Sequence, residues 1–174
     1  MAVPEILALL VQVRVLVVQL KQKVMIFKEM NGKEIVLEEY VRNYLQQHKG
    51  IEIMIGCDSQ NQRKQTVYAV VVALYTPGKG ADIIFNRWKT VRERVNSVRL
   101  LNEVWFSVDT AEALVAAGLP RAKWIDIDLN PDPRYKSNEV LRQAVGLVEG
   151  MGYHARYKTQ GPMVTYACDH LVKA

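Results

Sequence analysis

Apolar positions change their period several times along the chain, and each change marks an element. From Ile35 to Gln47, the residues Val36, Leu37, Tyr40, Val41, Tyr44 and Leu45 recur at helical spacing, which predicts a helix; Lys49 and Gly50 end it. "IEIMIGCDS" then reads as a strand, "QNQRKQ" as a polar turn and "TVYAVVVALY" as a long β-branched second strand. "PGKG" is a turn and "ADIIFNRWKTV" a third strand. Short turns between consecutive strands predict an antiparallel meander. Helical spacing returns from Val95 to Ala117, with Val98, Leu101, Val104, Trp105, Val108, Ala111 and Leu114 largely on one face, and "GLP" stops it. "AKWIDIDL" reads as a fourth strand. Ser137 is placed to cap a helix that carries Glu139 in its first turn, "YHARYKTQ" reads as a fifth strand, and "MVTYACDHLVK" as a closing helix.

Beyond its leading helix, this order resembles that of the ribonuclease H fold. The expectation is an α/β domain over residues 25–174 with a five-stranded mixed sheet. Its first three strands are antiparallel, the fourth lies beside the first, and right-handed crossovers put helices on both faces. Residues 1–24 stand apart. "ILALLVQVRVLVV" is apolar, but it contains Gln12 and Arg14 and is too short to span a bilayer. It also lacks the basic start and the cleavage site of a signal peptide. A helix packed on a partner, or a segment upstream of a start at Met25, is the reading adopted, and no membrane association is expected.

Charge and cysteine content narrow the picture modestly. The 174 residues carry a formal net charge of +5, which suits a polyanionic partner without demanding one. The run "RWKTVRERVNSVR" concentrates Arg87, Lys89, Arg92, Arg94 and Arg99 against Glu93 alone. It is either a solvated face or a surface that tracks phosphates. Two cysteines, Cys57 and Cys168, stand without a CxxC or Cys/His cluster. That argues against zinc and against a disulfide scaffold, and fits a reducing, cytoplasmic compartment.

The acids carry more information. "DIDLNPDPRYKSNE" offers oxygen ligands at Asp126, Asp128, Asn130 and Asp132, as a calcium loop would. An EF-hand needs Gly at its sixth position and Glu at its twelfth; here those are Pro131 and Ser137. The alternative lies in the sheet. Asp58 ends the first strand and Asp128 the fourth, and parallel neighbours would bring them about 5 Å apart. Carboxylates that close repel unless a cation answers them. Mg²⁺ or Mn²⁺ takes such hard oxygen donors, and a pair of ions roughly 3.5–4 Å apart supports phosphodiester cleavage. Asp126 shares the strand face of Asp128 but lies deeper, so Asp128 is the preferred ligand.

"IGCDSQ", "DIDLNPDPRYKSNEVL" and "YKTQGPMVTYACDHLVK", in this order, resemble blocks of the YkuK-type family of ribonuclease H-like proteins, over roughly Ile35 to Lys173. The resemblance implies metal-dependent nuclease chemistry on nucleic acid. Asp58, Asp128 and Asp169 match acids of the first strand, the fourth strand's end and the last helix. Glu103 is preferred to Glu112 for the acid of the long helix. These four are the implied metal ligands and catalytic groups, with His170 as a proton shuttle or a plain surface histidine. Arg87, Lys89, Arg92, Arg94 and Lys158 are the candidate phosphate contacts. Cys57 stands where the family usually has Thr, and "TQGPM" where a proline would directly follow the lysine; both bear on the substrate loop and neither removes an acid.

Two readings compete: a metal-dependent nuclease, and a non-catalytic nucleic-acid-binding module on the same fold. A pure binder of polyanions gains nothing from clustered carboxylates, which favours the first. An ATP-binding actin-like protein would need Gly-rich phosphate loops and a second related domain, for which the chain has no room.

Overall fold

A computed structural model describes residues 24–132, 134, 138–157 and 164–173. The expectations for residues 1–23, for the Ser137 cap and for Lys158 lie outside these residues. The described chain opens with a hairpin, β1 (Ile26–Glu29) and β2 (Glu34–Val36), followed by α1 (Leu37–Gln47). The meander is β3 (Glu52–Gln62), β4 (Gln65–Thr76) and β5 (Gly80–Val91). The long helix α2 (Asn96–Ala116), β6 (Trp124–Ile127), α3 (Asn138–Gly150), β7 (Ala155–Tyr157) and α4 (Thr165–Lys173) complete it. Among the described residues no helix is long and apolar enough to cross a membrane.

The sheet has seven strands in the order β2-β1-β5-β4-β3-β6-β7, where five were expected. The meander and the fourth strand beside the first are as expected, with β3–β6 parallel, and the fifth strand lies parallel beside the fourth. The two additional strands come from the segment before the first helix. Gly32 sits at φ 89°, and its N–H bonds the carbonyl of Glu29 while the Glu29 N–H bonds that of Lys33. Such a tight turn needs a residue that tolerates positive φ. Ile35 and Val36 therefore pair with β1, and the helix begins two residues later than its apolar spacing suggests. The polar turn "QNQRKQ" is also shorter than expected. β3 and β4 remain paired out to Gln62 and Gln65, leaving Arg63 at φ 52° and Lys64 to make the bend.

Nine consecutive residues of β4, Thr66 to Leu74, are buried, because helices cover both faces of the sheet. Tyr68, Val70, Val72 and Leu74 join the larger core under α2, while Val67, Ala69, Val71 and Ala73 meet α4. The seam of α2 is rotated from the expected one. Leu100, Glu103, Val104, Ser107, Val108, Thr110, Ala111 and Leu114 are its buried residues, whereas Val98 and Trp105 are exposed. Three polar side chains in that stripe disguise it to a count of apolar positions alone.

Helix α4 lies very close to the sheet. A side chain at Gly56 would place Cβ 3.2 Å from Thr165 Cγ2 and 3.4 Å from Asp126 Cβ, so any larger residue would push the first turn of α4 back by a few tenths of an ångström. Both ends of the helix are held by side chains of the sheet. Asp126 accepts the N–H of Val164 at 2.5 Å. At the other end Gln62 Nε2 donates to the carbonyl of Val172 and Arg87 Nε to that of Leu171, satisfying carbonyls that a helix end leaves open.

Candidate functional site

The β3–β6 ladder ends at Gly56 and Asp126. Two residues farther along the chain from each stand Asp58 and Asp128. They open into a cleft of about 220 Å³ whose lining also includes Ser59, Arg99, Glu103, Asp169 and Lys173. Four acids distant in sequence are thus gathered beyond the end of the parallel β3–β6 pairing, in the kind of place where open α/β sheets hold their ligands. Asp58 comes from β3, Asp128 from beyond β6, Glu103 from the first half of α2 and Asp169 from the middle of α4.

Their environments differ. Asp58 Oδ1 accepts the N–H of Ser59 at 2.7 Å. Burial pushes its carboxyl up to about 6, the charges of Asp128 and Asp169 push in the same direction, and the Ser59 N–H and Arg99 oppose them. Glu103 is buried at 4% exposure. Burial raises its carboxyl well above the usual range and the charge of Asp58 adds to this, against the pull of Ser59 and Arg99. Its Oε1 accepts the Ser59 hydroxyl at 2.5 Å and Arg99 Nη1 at 3.1 Å. The same Arg99 nitrogen reaches the carbonyl of Ser59 at 2.7 Å and its hydroxyl oxygen at 2.6 Å. Asp169, by contrast, is half-exposed and pairs with Lys173 at 2.6 Å across one helical turn.

The remaining candidates divide between site and scaffold. Glu112 accepts the Tyr153 hydroxyl at 2.5 Å and lies 3.8 Å from Arg121; it is absent from the cleft. Asp126 is fully enclosed. Arg156, its partner across the β6–β7 register, grips it with Nε and Nη2, both at 2.8 Å. His170 is exposed and does not line the cleft. In the basic run, Arg87 is tied to the end of α4, and Arg92 Nη1 bonds the carbonyl of Arg63. Lys89 and Arg94 are exposed.

Ser59 and Arg99 are site residues that apolar spacing and the acid pattern do not single out. Arg99 reads as one more member of the basic run; its signal is the four-residue spacing to Glu103, which aligns the two on one helix face. Ser59 follows Asp58 and so points to the opposite face of β3, toward α2.

Among the described residues, no three His, Cys, Asp or Glu side chains converge tightly enough to clasp a metal ion. Glu103 is bonded to Arg99 and Asp169 to Lys173. The donors themselves suit a hard cation: carboxylates in excess around a half-buried aspartate, without sulfur or imidazole among them. Both cysteines are free and buried, and burial pushes their thiols well up, so neither has the character of a nucleophile. A family model described as Ribonuclease H-like matches residues 36–173. No curated protein matches the chain.

Proposed function

Since the chain belongs to the ribonuclease H-like family, we propose that it is a metal-dependent nuclease that hydrolyses phosphodiester bonds of nucleic acid at this cleft. The observation that carries the reading is the meeting of Asp58, Asp128 and Asp169, with Glu103 beside them, in one cleft. Their mutual repulsion contributes to the raised carboxyl of Asp58. A fold gains no stability from such a cluster, and a cation relieves it.

Asp58, Asp128 and Asp169 would hold Mg²⁺ or Mn²⁺. Such a cation, when bound, supplies activation of a water and stabilisation of the leaving oxygen. The chain's own part is to present ionised carboxylates, to position the scissile phosphate and to keep a cationic rim. Lys173 stands at the cleft, and Lys89, Arg92 and Arg94 are exposed members of the basic run. Arg87 is engaged within the protein, which makes it a weaker candidate for phosphate contact than the sequence suggests, and Arg92 is exposed with one nitrogen on the carbonyl of Arg63. His170, outside the cleft lining, would take part only in a proton transfer at its edge. Hydrolysis would proceed by direct attack of water, without a covalent intermediate.

The second reading, a nucleic-acid-binding module without turnover, is favoured by one observation, the commitment of Glu103 to Arg99 and Ser59. A single assay separates them. Purified protein is incubated with labelled RNA, DNA and hybrid in Mn²⁺, Mg²⁺ or EDTA. The nuclease reading expects cleavage that EDTA and Asp128→Asn both abolish. Binding of the panel without cleavage would establish the module instead. For either reading, replacing Lys89 and Arg94 by Ser should lower the log–log salt slope of binding by about 0.7–0.9 for each phosphate no longer neutralised.

A further inference from the structure

Among the described residues, two ion pairs line the cleft, one locked and the other loose. Arg99 and Glu103 have side chains only 17% and 5% exposed. The Arg99 Nη1 group is shared among Glu103, the Ser59 hydroxyl and the Ser59 carbonyl, while Nη2 donates to Asn96 at 2.8 Å. Lys173 and Asp169 are 57% and 41% exposed. Their partnership lies on one turn of helix in contact with water, where such pairs are weak.

A guanidinium keeps its charge throughout the accessible pH range. A cation therefore already stands beside Glu103, held in place by its bonds to Glu103, Ser59 and Asn96. A second cation sharing that carboxylate would have to displace it or suffer its repulsion. Asp169 carries no comparable restraint, since Lys173 can swing into solvent, and Asp58 and Asp128 face the same cleft.

We propose that Arg99 takes the place of a second metal ion. Its guanidinium answers Glu103, so the cleft takes one divalent cation, on Asp58, Asp128 and Asp169, instead of a pair. This deepens the nuclease reading and rests on it. Arg99 is in these terms a positioning residue acting through Glu103.

Mn²⁺ alone is the probe, with binding stoichiometry as the readout, measured by calorimetry and by the electron paramagnetic resonance of free Mn²⁺. The wild-type chain should take one ion. Glu103→Gln, which keeps an oxygen for Arg99 and Ser59, should take one ion with affinity within about threefold of wild type. Asp128→Asn should lose at least tenfold. Arg99→Lys should retain one ion, and Arg99→Met, if it folds by circular dichroism, should admit a second. Two ions on the wild type, or a loss in Glu103→Gln as large as that in Asp128→Asn, would overturn the role of Arg99 and leave the nuclease reading standing. No Mn²⁺ bound by the wild type would overturn both.

Discussion

Asp126 and Asp128 stand two residues apart at the end of one strand, yet they belong to different parts of the molecule. Asp126 is still inside the sheet. It is gripped by two nitrogens of Arg156, it accepts the N–H of Val164, and it is 2% exposed. Asp128 lies beyond the last residue of β6, half-buried, in the lining of the cleft. One step of the pleat separates an acid enclosed within the fold from one that lines the cleft. The end of a strand is where backbone pairing stops, and where a carboxylate can be presented without being consumed by the sheet.

The largest expected effect falls on the enclosed member. Asp126→Ala strips Arg156 of its partner inside the protein, and breaking a buried pair in this way costs about 3–5 kcal/mol. Denaturant unfolding should show it, and Arg156→Met combined with Asp126→Leu should recover much of the loss. If Asp126→Ala unfolds no more easily than wild type, the two aspartates do not differ as described.

Asp128→Asn should do the reverse. Under the nuclease reading, activity in Mn²⁺ falls by more than about 100-fold, or about 2.7 kcal/mol of barrier, with a smaller loss of stability than that of Asp126→Ala. A matching fall in melting temperature would show that Asp128, too, serves the fold.

Asp58 sharpens the comparison through pH. Its carboxyl is raised from 3.8 to about 6, so between these values the folded protein binds a proton that the unfolded chain has released. Its contribution to stability is therefore full below about pH 4, declines as pH rises through 6, and is flat above that. In metal-free buffer, the wild-type melting temperature minus that of Asp58→Asn should fall across this interval. A difference independent of pH would mean that neither burial nor its neighbours' charge disfavours the ionised Asp58.

The smallest effect belongs to Lys173. Its exposed pair with Asp169 contributes about 0–1 kcal/mol, so Lys173→Met should leave the melting temperature nearly unchanged and tighten Mn²⁺ binding only slightly. A large loss of stability would place Asp169 with Asp126, among the acids that the fold uses.

How much of this is legible in the sequence depends on whether the signal is local. The meander is, because β-branched runs broken by "PGKG" declare themselves, and so is Asp128 just past the end of β6. Asp58, expected to end its strand, sits inside β3, which stays paired with β4 out to Gln62 because the polar turn is only two residues long. The N-terminal hairpin has a local signal as well, since Asn31-Gly32 is a turn pair, but the helical spacing that begins at Ile35 obscures it. The buried seam of α2 is not legible from apolar spacing, since Glu103 is buried against Ser59 and Arg99, and Ser107 and Thr110 turn their hydroxyls back onto carbonyls of the same helix. Nor is the role of Asp126, whose partners Arg156 and Val164 lie 30 and 38 residues away. A carboxylate's partners across strands leave no periodic trace in the chain.

The clamp on α4 has a consequence for motion. Nine residues are too few to stay helical in isolation, so this helix persists only while Asp126, Gln62, Arg87 and its own apolar face keep it docked. Its release would be a sub-global opening that leaves the β3–β4–β5 backbone ladder paired, and such openings can occur below the free energy of full unfolding. Asp169 leaves with it. The cleft can therefore lose its fourth wall while the sheet is still native, and amide hydrogen exchange should find the α4 backbone exchanging ahead of β4. A cation held partly by Asp169 would slow that exchange, coupling occupancy of the cleft to the attachment of α4.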